Sequence, residues 1–464
     1  MNMCACSIAE LARLIRTKSV SCKEIVQAHL NRIEQVNPRL NAVVQLRAQA
    51  ALLEAEQADI ALAHGQSIGP LHGIPMTIKD SFDCRDLISS AGTLGRAKFV
   101  PTEDAIVVAR LRKAGAILLG KSNTPELTIA YETDNLVYGR TANPHNTWLS
   151  AGGSSGGAAA IIAAGGASFD IGSDTGGSIR LPAHFCGIAG LKPTQGRVPR
   201  TGHIISALGF LQALTHVGPL ARTVDDLALL LPIIAGPDGC DPHTVDITLP
   251  VPSKVEISTL RIAFYSAIGE VQAHPEITEK IEQAAIALEE TGARVAPAAP
   301  ACLPNAYELY YQLFHADGNA WVRELLTTAG TDRNHPFLDW AHQTRSTAES
   351  GRAFAALLAR WDHFRAEMLA FMRQHDVILC PVHSHPAFVH GSSKKPPYRA
   401  GFAFTIVYNL TGWPAAVICI GKTTEGVPIG IQIVAAPWRE DVVLAVAGYL
   451  ESVFGGWRAN KPAI

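Results

Sequence analysis

Charged residues are scarce in this 464-residue sequence, and neither sign prevails among them. Charged residues make up 17% of the chain, and the formal net charge is −2 at pH 7. Nucleic-acid-binding proteins carry a basic patch or a basic overall balance, and membrane-surface proteins carry clusters of lysine and arginine. We therefore expect neither a nucleic acid nor a membrane as partner. A hydrophobic content of 48% instead predicts a large buried core.

Cysteine pairs and long apolar runs are also missing. The nine cysteines are scattered and none has C-x-x-C spacing, which argues against a zinc knuckle or a disulfide framework. No uninterrupted apolar run reaches the roughly 18 residues of a membrane-spanning helix. The opening segment lacks the basic region and apolar core of a signal peptide. We expect reduced thiols and a cytoplasmic location.

Glycine, in contrast, is concentrated in residues 151–193. Two glycine–serine loops, at 152–157 and 174–178, flank the run Ala158–Ala164, whose small residues favour a helix. A flexible linker does not carry such apolar segments, and the G-x-G-x-x-G pattern of a phosphate-binding loop is absent. Ser178 follows two glycines, where backbone N–H groups can converge on one oxygen. An oxyanion hole for acyl transfer needs that geometry.

A strand pattern precedes these loops and ends on a lysine. Apolar and other residues alternate over 74–79, a period suited to a β-strand that ends at Lys79. The ordinary interpretation of a single such lysine is a solvated side chain. In a dry site, however, desolvation lowers the pKa of a lysine, and the neutral amine can take a proton from a serine hydroxyl.

Four motifs together resemble the amidase signature family of serine hydrolases, and the resemblance covers nearly the whole chain. The motifs are GPLHGIPMTIKD at 69–80, GGSSGG at 152–157, GSDTGGSIR at 172–180 and FCGIAGLKPT at 185–194. The resemblance implies a Ser–Ser–Lys triad in which one serine follows a cis peptide bond. Carried over by motif, the catalytic residues are Ser178 as nucleophile, Ser154 as the bridging cis-serine and Lys79 as base.

The same resemblance suggests roles for the neighbouring residues. The backbone N–H groups expected to form the oxyanion hole belong to four consecutive residues, Thr175, Gly176, Gly177 and Ser178. Ser155 is expected to hydrogen-bond the backbone, and Asp174 and Arg180 to form an ion pair that holds the nucleophile loop. The family's acyl pocket is lined by the segment that starts at Thr128, so the expected substrate contacts are Thr128, Tyr131, Glu132 and Thr133. Neither a metal nor an organic cofactor is required.

Three other motifs suggest different chemistry. Residues 115–122 match the P-loop pattern, but their apolar variable positions favour a buried strand, so we reject nucleotide binding. Residues 152–156 match G-x-S-x-G, which would make Ser154 the nucleophile of an α/β-hydrolase esterase, although a strand pattern is missing before it. Its candidate histidines are His203, His216, His383 and His385. A third group, His383, His385 and His390, is a weak metal signal without acidic or cysteine partners.

We expect one α/β domain over residues 1–464, with a central mixed β-sheet covered by α-helices on both faces. Its core motifs lie in 69–194, and a variable helical region at about 302–372 shapes the substrate entrance. Local patterns predict two helices within 7–41 and a helix that begins after the N-cap Thr223.

The expected activity is hydrolysis of a carbon–nitrogen acyl bond of a small-molecule amide through an acyl-enzyme, with possible ester and carbamate (urethane) cleavage. Three alternatives remain. They are the glutamine-hydrolysing subunit of a tRNA-dependent amidotransferase, the G-x-S-x-G esterase, and a degenerate binding scaffold, although Lys79 and Ser178 are both present. The expected oligomeric state is a monomer or a homodimer.

Overall fold

The computed structural model describes residues 2–66, 69–205, 209–342 and 348–464. Strands within these residues form one large and one small sheet. They are β1 Val43–Leu46, β2 Pro75–Lys79, β3 Ile117–Ser122, β4 Phe169–Asp174, β5 Ala189–Lys192, β6 His216–Ala221, β7 Arg261–Phe264, β8 Ala267–Ile268, β9 Val271–Gln272, β10 Arg294–Pro297, β11 Val377–Pro381, β12 Ala415–Lys422 and β13 Pro428–Ala435.

Helices alternate with the strands along the chain. The α-helices are α1 Ile8–Arg16, α2 Cys22–Leu40, α3 Ala48–Ala63, α4 Ile106–Lys113, α5 Gly156–Ala163, α6 Arg180–Cys186, α7 Val224–Ile234, α8 Pro275–Glu289, α9 Ala306–Phe314, α10 Ala320–Ala329, α11 Gly351–Met372, α12 Tyr398–Gly401, α13 Ala403–Leu410, α14 Glu440–Phe454 and α15 Gly456–Asn460. Helices α9, α10 and α11 lie in the predicted entrance region, of which residues 343–347 fall outside the described chain. No helix of the described residues is long and apolar enough to cross a membrane.

The large sheet has 11 strands in the order β1-β3-β2-β4-β6-β5-β12-β13-β11-β7-β10. Strand β2 runs parallel to β3 and β4, whereas β4, β6, β5, β12 and β13 pair antiparallel in succession. Helix α4 connects the parallel neighbours β2 and β3, as a crossover connection between parallel strands requires. The predicted mixed sheet is confirmed.

Two apolar clusters cover the faces of the sheet. Along β11, Val377 and Leu379 belong to one cluster, and Ile378 and Cys380 belong to the other. Because successive side chains of a strand point to opposite faces, both faces are buried under helices. The predicted single α/β fold with helices on both sides is therefore confirmed.

Local signals in the sequence predicted several helix ends correctly. The two helices predicted within 7–41 are α1 and α2, and capping boxes begin both, Ser7 with Glu10 and Ser21 with Glu24. Thr223 caps α7 through a hydrogen bond from the Asp226 N–H. These caps depend on contacts a few residues apart, which the sequence displays directly.

The alternation along β2 did not predict how completely its side chains are buried. It suggested one apolar and one polar face, but all five residues from Pro75 to Lys79 are buried. Strand β2 lies between two parallel neighbours, and parallel strands are normally covered on both faces. Lys79 therefore lies in the protein interior, with no exposed surface.

We predict that Ile433→Ala, in the fully buried centre of β13, lowers the free energy of unfolding by about 2–5 kcal/mol through lost burial and a new cavity. Urea unfolding would measure the change. Ile286→Ala on α8 is the matched control, since that side chain is 56% exposed and its loss should change stability by about 0.5 kcal/mol or less. Equal effects of the two substitutions would contradict the assignment of the core.

Candidate active site

A buried lysine lies at the centre of the candidate site. Strands β2 and β4 are parallel, so their carboxyl ends, which carry Lys79 and Ser173, meet at the same edge of the sheet. The Lys79 Nζ atom lies 2.7 Å from Ser154 Oγ, 3.0 Å from Ser155 Oγ and 2.9 Å from Ser173 Oγ. The amine is thus surrounded by hydroxyl groups and has no exposed surface.

Burial changes the acid–base behaviour of this amine. Desolvation lowers the pKa of Lys79 to about 7, against the opposing pull of the Asp174 and Asp170 carboxylates. Neither carboxylate is hydrogen-bonded to the amine: Asp170 Oδ2 accepts from Thr77 Oγ1 at 2.6 Å, and Asp174 pairs with Arg180. A substantial fraction of Lys79 is therefore neutral at about pH 7.

The loop that carries Ser154 is held in an unusual backbone path. The Gly153–Ser154 peptide bond is cis, as the resemblance implied. A side chain at Gly153 would not fit, because its Cβ would lie 2.6 Å from a backbone nitrogen of a neighbouring segment. Thr133 Oγ1 donates to the Gly152 carbonyl at 2.9 Å and accepts from the Gly156 N–H at 3.1 Å. These contacts fix both ends of the loop.

The second glycine loop lines a cavity through Thr175, Gly176 and Ser178. The N–H groups of Thr175, Gly176 and Ser178 donate to no acceptor among the described residues. The Gly177 N–H, which we predicted to be a fourth oxyanion donor, instead donates to Asp174 Oδ1 at 2.8 Å. Gly177 has φ 126°, a conformation that favours glycine.

The predicted ion pair between Asp174 and Arg180 is present and fully buried. Two parallel bonds, at 2.8 and 3.0 Å, join the guanidinium to the carboxylate. Arg180 also donates to Gln432 Oε1 and Asn409 Oδ1. Burial alone would raise the pKa of Asp174, but the adjacent Arg180 holds it well below its ordinary value. The pair ties the nucleophile loop to α13 and β13.

Ser178 lies where the loop meets the cavity, and it is 7% exposed. Its carbonyl accepts a hydrogen bond from the Ser155 N–H at 3.2 Å, so the two glycine loops are joined through their backbones. Within the described chain, no hydrogen bond joins the Ser178 and Ser154 hydroxyls. The structure thus brings Lys79 and Ser154 into direct contact and leaves the Ser178 hydroxyl facing the cavity.

Three neighbouring residues make contacts other than the expected ones. Ser155 was expected to bond the backbone, but its hydroxyl lies against the Lys79 amine because it begins α5 beside β2. Glu132 and Thr133 were expected to contact substrate. Both are buried, and Glu132 accepts from the N–H groups of Gly391 and Ser393, at 2.6 and 2.8 Å. Thr133 binds the cis-serine loop instead.

A cavity of about 420 Å³ opens beside Ser178. Thr128 and Tyr131 line it, as predicted for substrate contacts, and Tyr131 stacks on Phe402 with ring centres 3.6 Å apart. Most of its aromatic side chains come from the helical region, and the described lining residues include no aspartate or glutamate. The cavity can therefore hold a bulky apolar group next to the open N–H groups.

Two further contacts at the nucleophile loop had no signal in the sequence. Tyr310 OH donates to the Thr175 carbonyl at 3.0 Å, and Thr405 Oγ1 donates to the Gly176 carbonyl at 2.8 Å. A planar peptide fixes its N–H opposite its carbonyl, so the Tyr310 bond directs the Gly176 N–H away from α9. A tyrosine 135 residues further along the chain could not be assigned to this loop from a local pattern.

The structures of the P-loop match and of the G-x-S-x-G match do not support nucleotide binding or a histidine-activated serine. Residues 117–122 of the P-loop match form the buried strand β3. In the described chain the nearest strand before Ser154 ends at Ser122, and the hydrogen bonds of Ser154 include no histidine. His383 has its two ring nitrogens 3.1 and 2.9 Å from the His385 and Tyr398 carbonyls. The described residues contain no group of three or more metal-binding side chains around a common point.

We predict that Arg180→Met lowers the free energy of unfolding by about 3–5 kcal/mol, because it leaves the Asp174 carboxylate buried without its partner. Chemical denaturation followed by fluorescence measures this change. The control is Arg261→Met, which breaks an ion pair of similar length, 2.9 Å, whose side chains are 39% and 34% exposed. That substitution should change the free energy by about 1 kcal/mol or less, and an equally large loss would contradict the comparison.

Comparisons with known proteins agree with this geometry. The family model described as Amidase matches residues 24–444. An acylamidase of Rhodococcus erythropolis is 34% identical, over 98% of this chain and 97% of that protein. A glutamyl-tRNA(Gln) amidotransferase subunit from Bdellovibrio bacteriovorus is 31% identical, over 97% of both chains.

Among solved structures, 6-aminohexanoate cyclic dimer hydrolase complexed with substrate superposes with a TM-score of 0.87. The two sequences are 28% identical, and the match covers 100% of this chain and 99% of that one. The chain therefore belongs to the amidase signature family and hydrolyses the carbon–nitrogen bond of amides.

Proposed function

We propose that this amidase is a serine hydrolase in which Ser178 forms an acyl-enzyme, Ser154 passes protons and neutral Lys79 acts as the base. The observation that carries the proposal is the fully buried Lys79 amine, 2.7 Å from the Ser154 hydroxyl. A buried neutral lysine beside a hydroxyl is one recognised way to activate a serine nucleophile. No metal ion and no organic cofactor takes part in these steps.

The first step forms the bond between Ser178 and the acyl carbon. Ser178 Oγ attacks the substrate carbonyl, its proton passes to Ser154 Oγ, and the Ser154 proton passes to the Lys79 nitrogen. A rotation of the Ser178 hydroxyl toward Ser154 completes the relay. Catalytic hydrogen bonds of this kind often tighten only when substrate is bound.

The negative charge that forms on the substrate oxygen needs donors. The open N–H groups of Thr175, Gly176 and Ser178 face the cavity and are proposed to bind this oxygen, and one such donor is commonly worth about 3 kcal/mol. We leave Gly177 out of the hole because its N–H is bonded to Asp174.

The second half of the reaction uses the relay in reverse. Lys79, now an ammonium, returns a proton through Ser154 to the departing nitrogen, and the carbon–nitrogen bond breaks as a neutral amine leaves. A water molecule then attacks the acyl carbon and gives its proton to the relay. The bond between the acyl carbon and Ser178 Oγ breaks, the relay returns the proton to Ser178 Oγ, and the acid leaves. Protonating the nitrogen matters because an amide anion is a very poor leaving group.

The cavity supports a bulky, apolar substrate group. Its aromatic wall, with the Tyr131–Phe402 stack beside Ser178, suits an aryl or long alkyl group on the acyl or amine side of the amide. Esters and carbamates pass through the same tetrahedral intermediate, and we propose both as further substrates, with the carbamate closest to an amide.

Glutamine is a weaker candidate for this cavity. A free amino acid carries an α-ammonium group, and a binding site normally matches it with a carboxylate. The described lining residues provide aromatic rings and the cations Lys394 and Arg399 but no acidic side chain. The likeness to an amidotransferase subunit therefore counts less than the chemistry of the pocket. A scaffold without activity is disfavoured by the intact Lys79–Ser154 contact.

We predict that Ser178→Ala abolishes labelling by a fluorophosphonate probe and lowers kcat/KM by about a thousandfold or more, because the nucleophile is gone. In-gel fluorescence and an anilide assay would measure the two effects. Ser452→Ala, at an exposed position on α14, is the control and should keep both the label and the activity. Labelling that survives in the Ser178 variant would contradict the assigned nucleophile.

We predict that aryl and long-alkyl anilides and carbamates are hydrolysed with kcat/KM at least about tenfold above that of the acetyl analogue, while glutamine is not hydrolysed. Initial rates on a matched panel of anilide, ester, carbamate and glutamine substrates would decide this. Trp340→Ala, which shortens the cavity wall away from Ser178, should reduce the preference for the bulky group and leave turnover of the acetyl analogue unchanged. Ammonia release from glutamine as the fastest reaction would instead support the amidotransferase role.

A further inference from the structure

The Ser173 hydroxyl lies between two nitrogen atoms. Lys79 Nζ is 2.9 Å from Ser173 Oγ, and His203 Nε2 is 3.0 Å from the same oxygen. Lys79, Ser173 and His203 are all buried, with 0%, 3% and 2% of their surfaces exposed, respectively. The triad described above does not use Ser173 or His203, so the contact needs its own explanation.

The tautomer of His203 follows from its other ring nitrogen. His203 Nδ1 accepts the backbone N–H of Ile205 at 3.1 Å, so the proton of a neutral ring is on Nε2. Burial, followed by the nearby charge of Lys79, lowers the pKa of His203 well below its ordinary value. The ring is therefore neutral at working pH, and Nε2–H donates to Ser173 Oγ.

With His203 as a fixed donor, the proton of Ser173 must point elsewhere. Among the described residues, Lys79 Nζ is the remaining polar atom in hydrogen-bond distance of Ser173 Oγ. A neutral amine accepts that proton, and the chain of donors from His203 through Ser173 ends on its lone pair. An ammonium cannot accept, which leaves a buried hydroxyl proton without a partner and is unfavourable.

We propose that His203 is a positioning residue for this reaction: its Nε2 proton directs the Ser173 hydroxyl onto the Lys79 nitrogen and so favours the neutral amine. The inference rests on the proposed role of Lys79 as base. Two carboxylates that face Lys79, Asp170 and Asp174, act in the opposite direction and favour the ammonium. Arg200 and Lys121 are the other charges that face His203.

The arrangement also explains how the amine can serve Ser154. Lys79 Nζ has three hydroxyl neighbours, and a rotation about the Cε–Nζ bond moves its lone pair from Ser173 to Ser154 without displacing the side chain. Proton transfer and the return to the resting state then need only this rotation. The same network connects the base to the cavity wall, because Ile205, which holds the His203 ring, lines the cavity.

The test is the pH dependence of kcat/KM on an anilide substrate. In the unmodified enzyme, activity rises with pH as Lys79 loses its proton, with a midpoint at about 7. In His203→Leu we expect the midpoint to rise by about one pH unit, so that kcat/KM falls about fivefold at about pH 7 and is unchanged at high pH. His203→Gln, whose amide N–H can still donate, should shift the midpoint by less than His203→Leu does.

Two variants separate this effect from a general loss of structure. In a Ser173→Ala background, His203→Leu should cause no additional shift, because the path to Lys79 is already broken. His29→Leu removes another fully buried histidine that lies outside this network, and it should leave the profile unchanged. A direct readout is the Lys79 ε-carbon chemical shift in ¹³C-lysine-labelled protein, titrated with and without His203.

The outcomes distinguish the proposed role of His203 from the proposed serine mechanism. If Ser178→Ala is inactive but His203→Leu, folded by circular dichroism, keeps both the midpoint and the Lys79 titration, the role of His203 is wrong. An unchanged Lys79 titration in Ser173→Ala would overturn it as well, even if the leucine variant does not fold. Activity that survives Ser178→Ala would instead reject the serine mechanism.

Discussion

A fully buried amine that is hydrogen-bonded to hydroxyl groups, and to no carboxylate among the described residues, is the constraint on which this site depends. Lys121 on the neighbouring strand provides the contrast, since it is equally buried but lies 3.6 Å from the Asp80 carboxylate. Around Lys79, the two nearest acids are bound by Thr77 and Arg180. Burial without an ion pair favours the neutral amine, so Lys79 can lose its proton near neutrality.

The site joins two parts of the chain with different tasks. The lysine and serine residues come from the segment 79–178, which contains strands β3 and β4 and the loops that follow them. Much of the cavity wall comes from later residues, on helices α9 and α10 and on the loop around Phe402. The buried Asp174–Arg180 pair connects these parts, because its guanidinium also binds side chains of α13 and β13.

The sequence predicted features that depend on residues close together in the chain. It missed features that depend on contacts between distant residues. The helix caps at Ser7 and Ser21, the mixed sheet and the pairing of Asp174 with Arg180 follow from local patterns or from motifs. The complete burial of β2 did not, because alternation along one strand says nothing about which neighbours cover it. Likewise, the Gly177 N–H donates to Asp174 because of the backbone path of the loop, which the identities of the residues leave open.

The hydrogen bond from Tyr310 to the Thr175 carbonyl has a consequence for how substrate preference can evolve. Helix α9 both lines the cavity and supports the loop with the proposed oxyanion donors. A substitution on α9 that reshapes the cavity therefore also disturbs these donors. Replacements on α10, which lines the cavity through Trp321 and has no hydrogen bond to this loop among the described residues, offer a less coupled route to new acyl groups. Substrate selectivity in this protein should therefore change first through residues such as those on α10, and Tyr310 should be among the last residues to change.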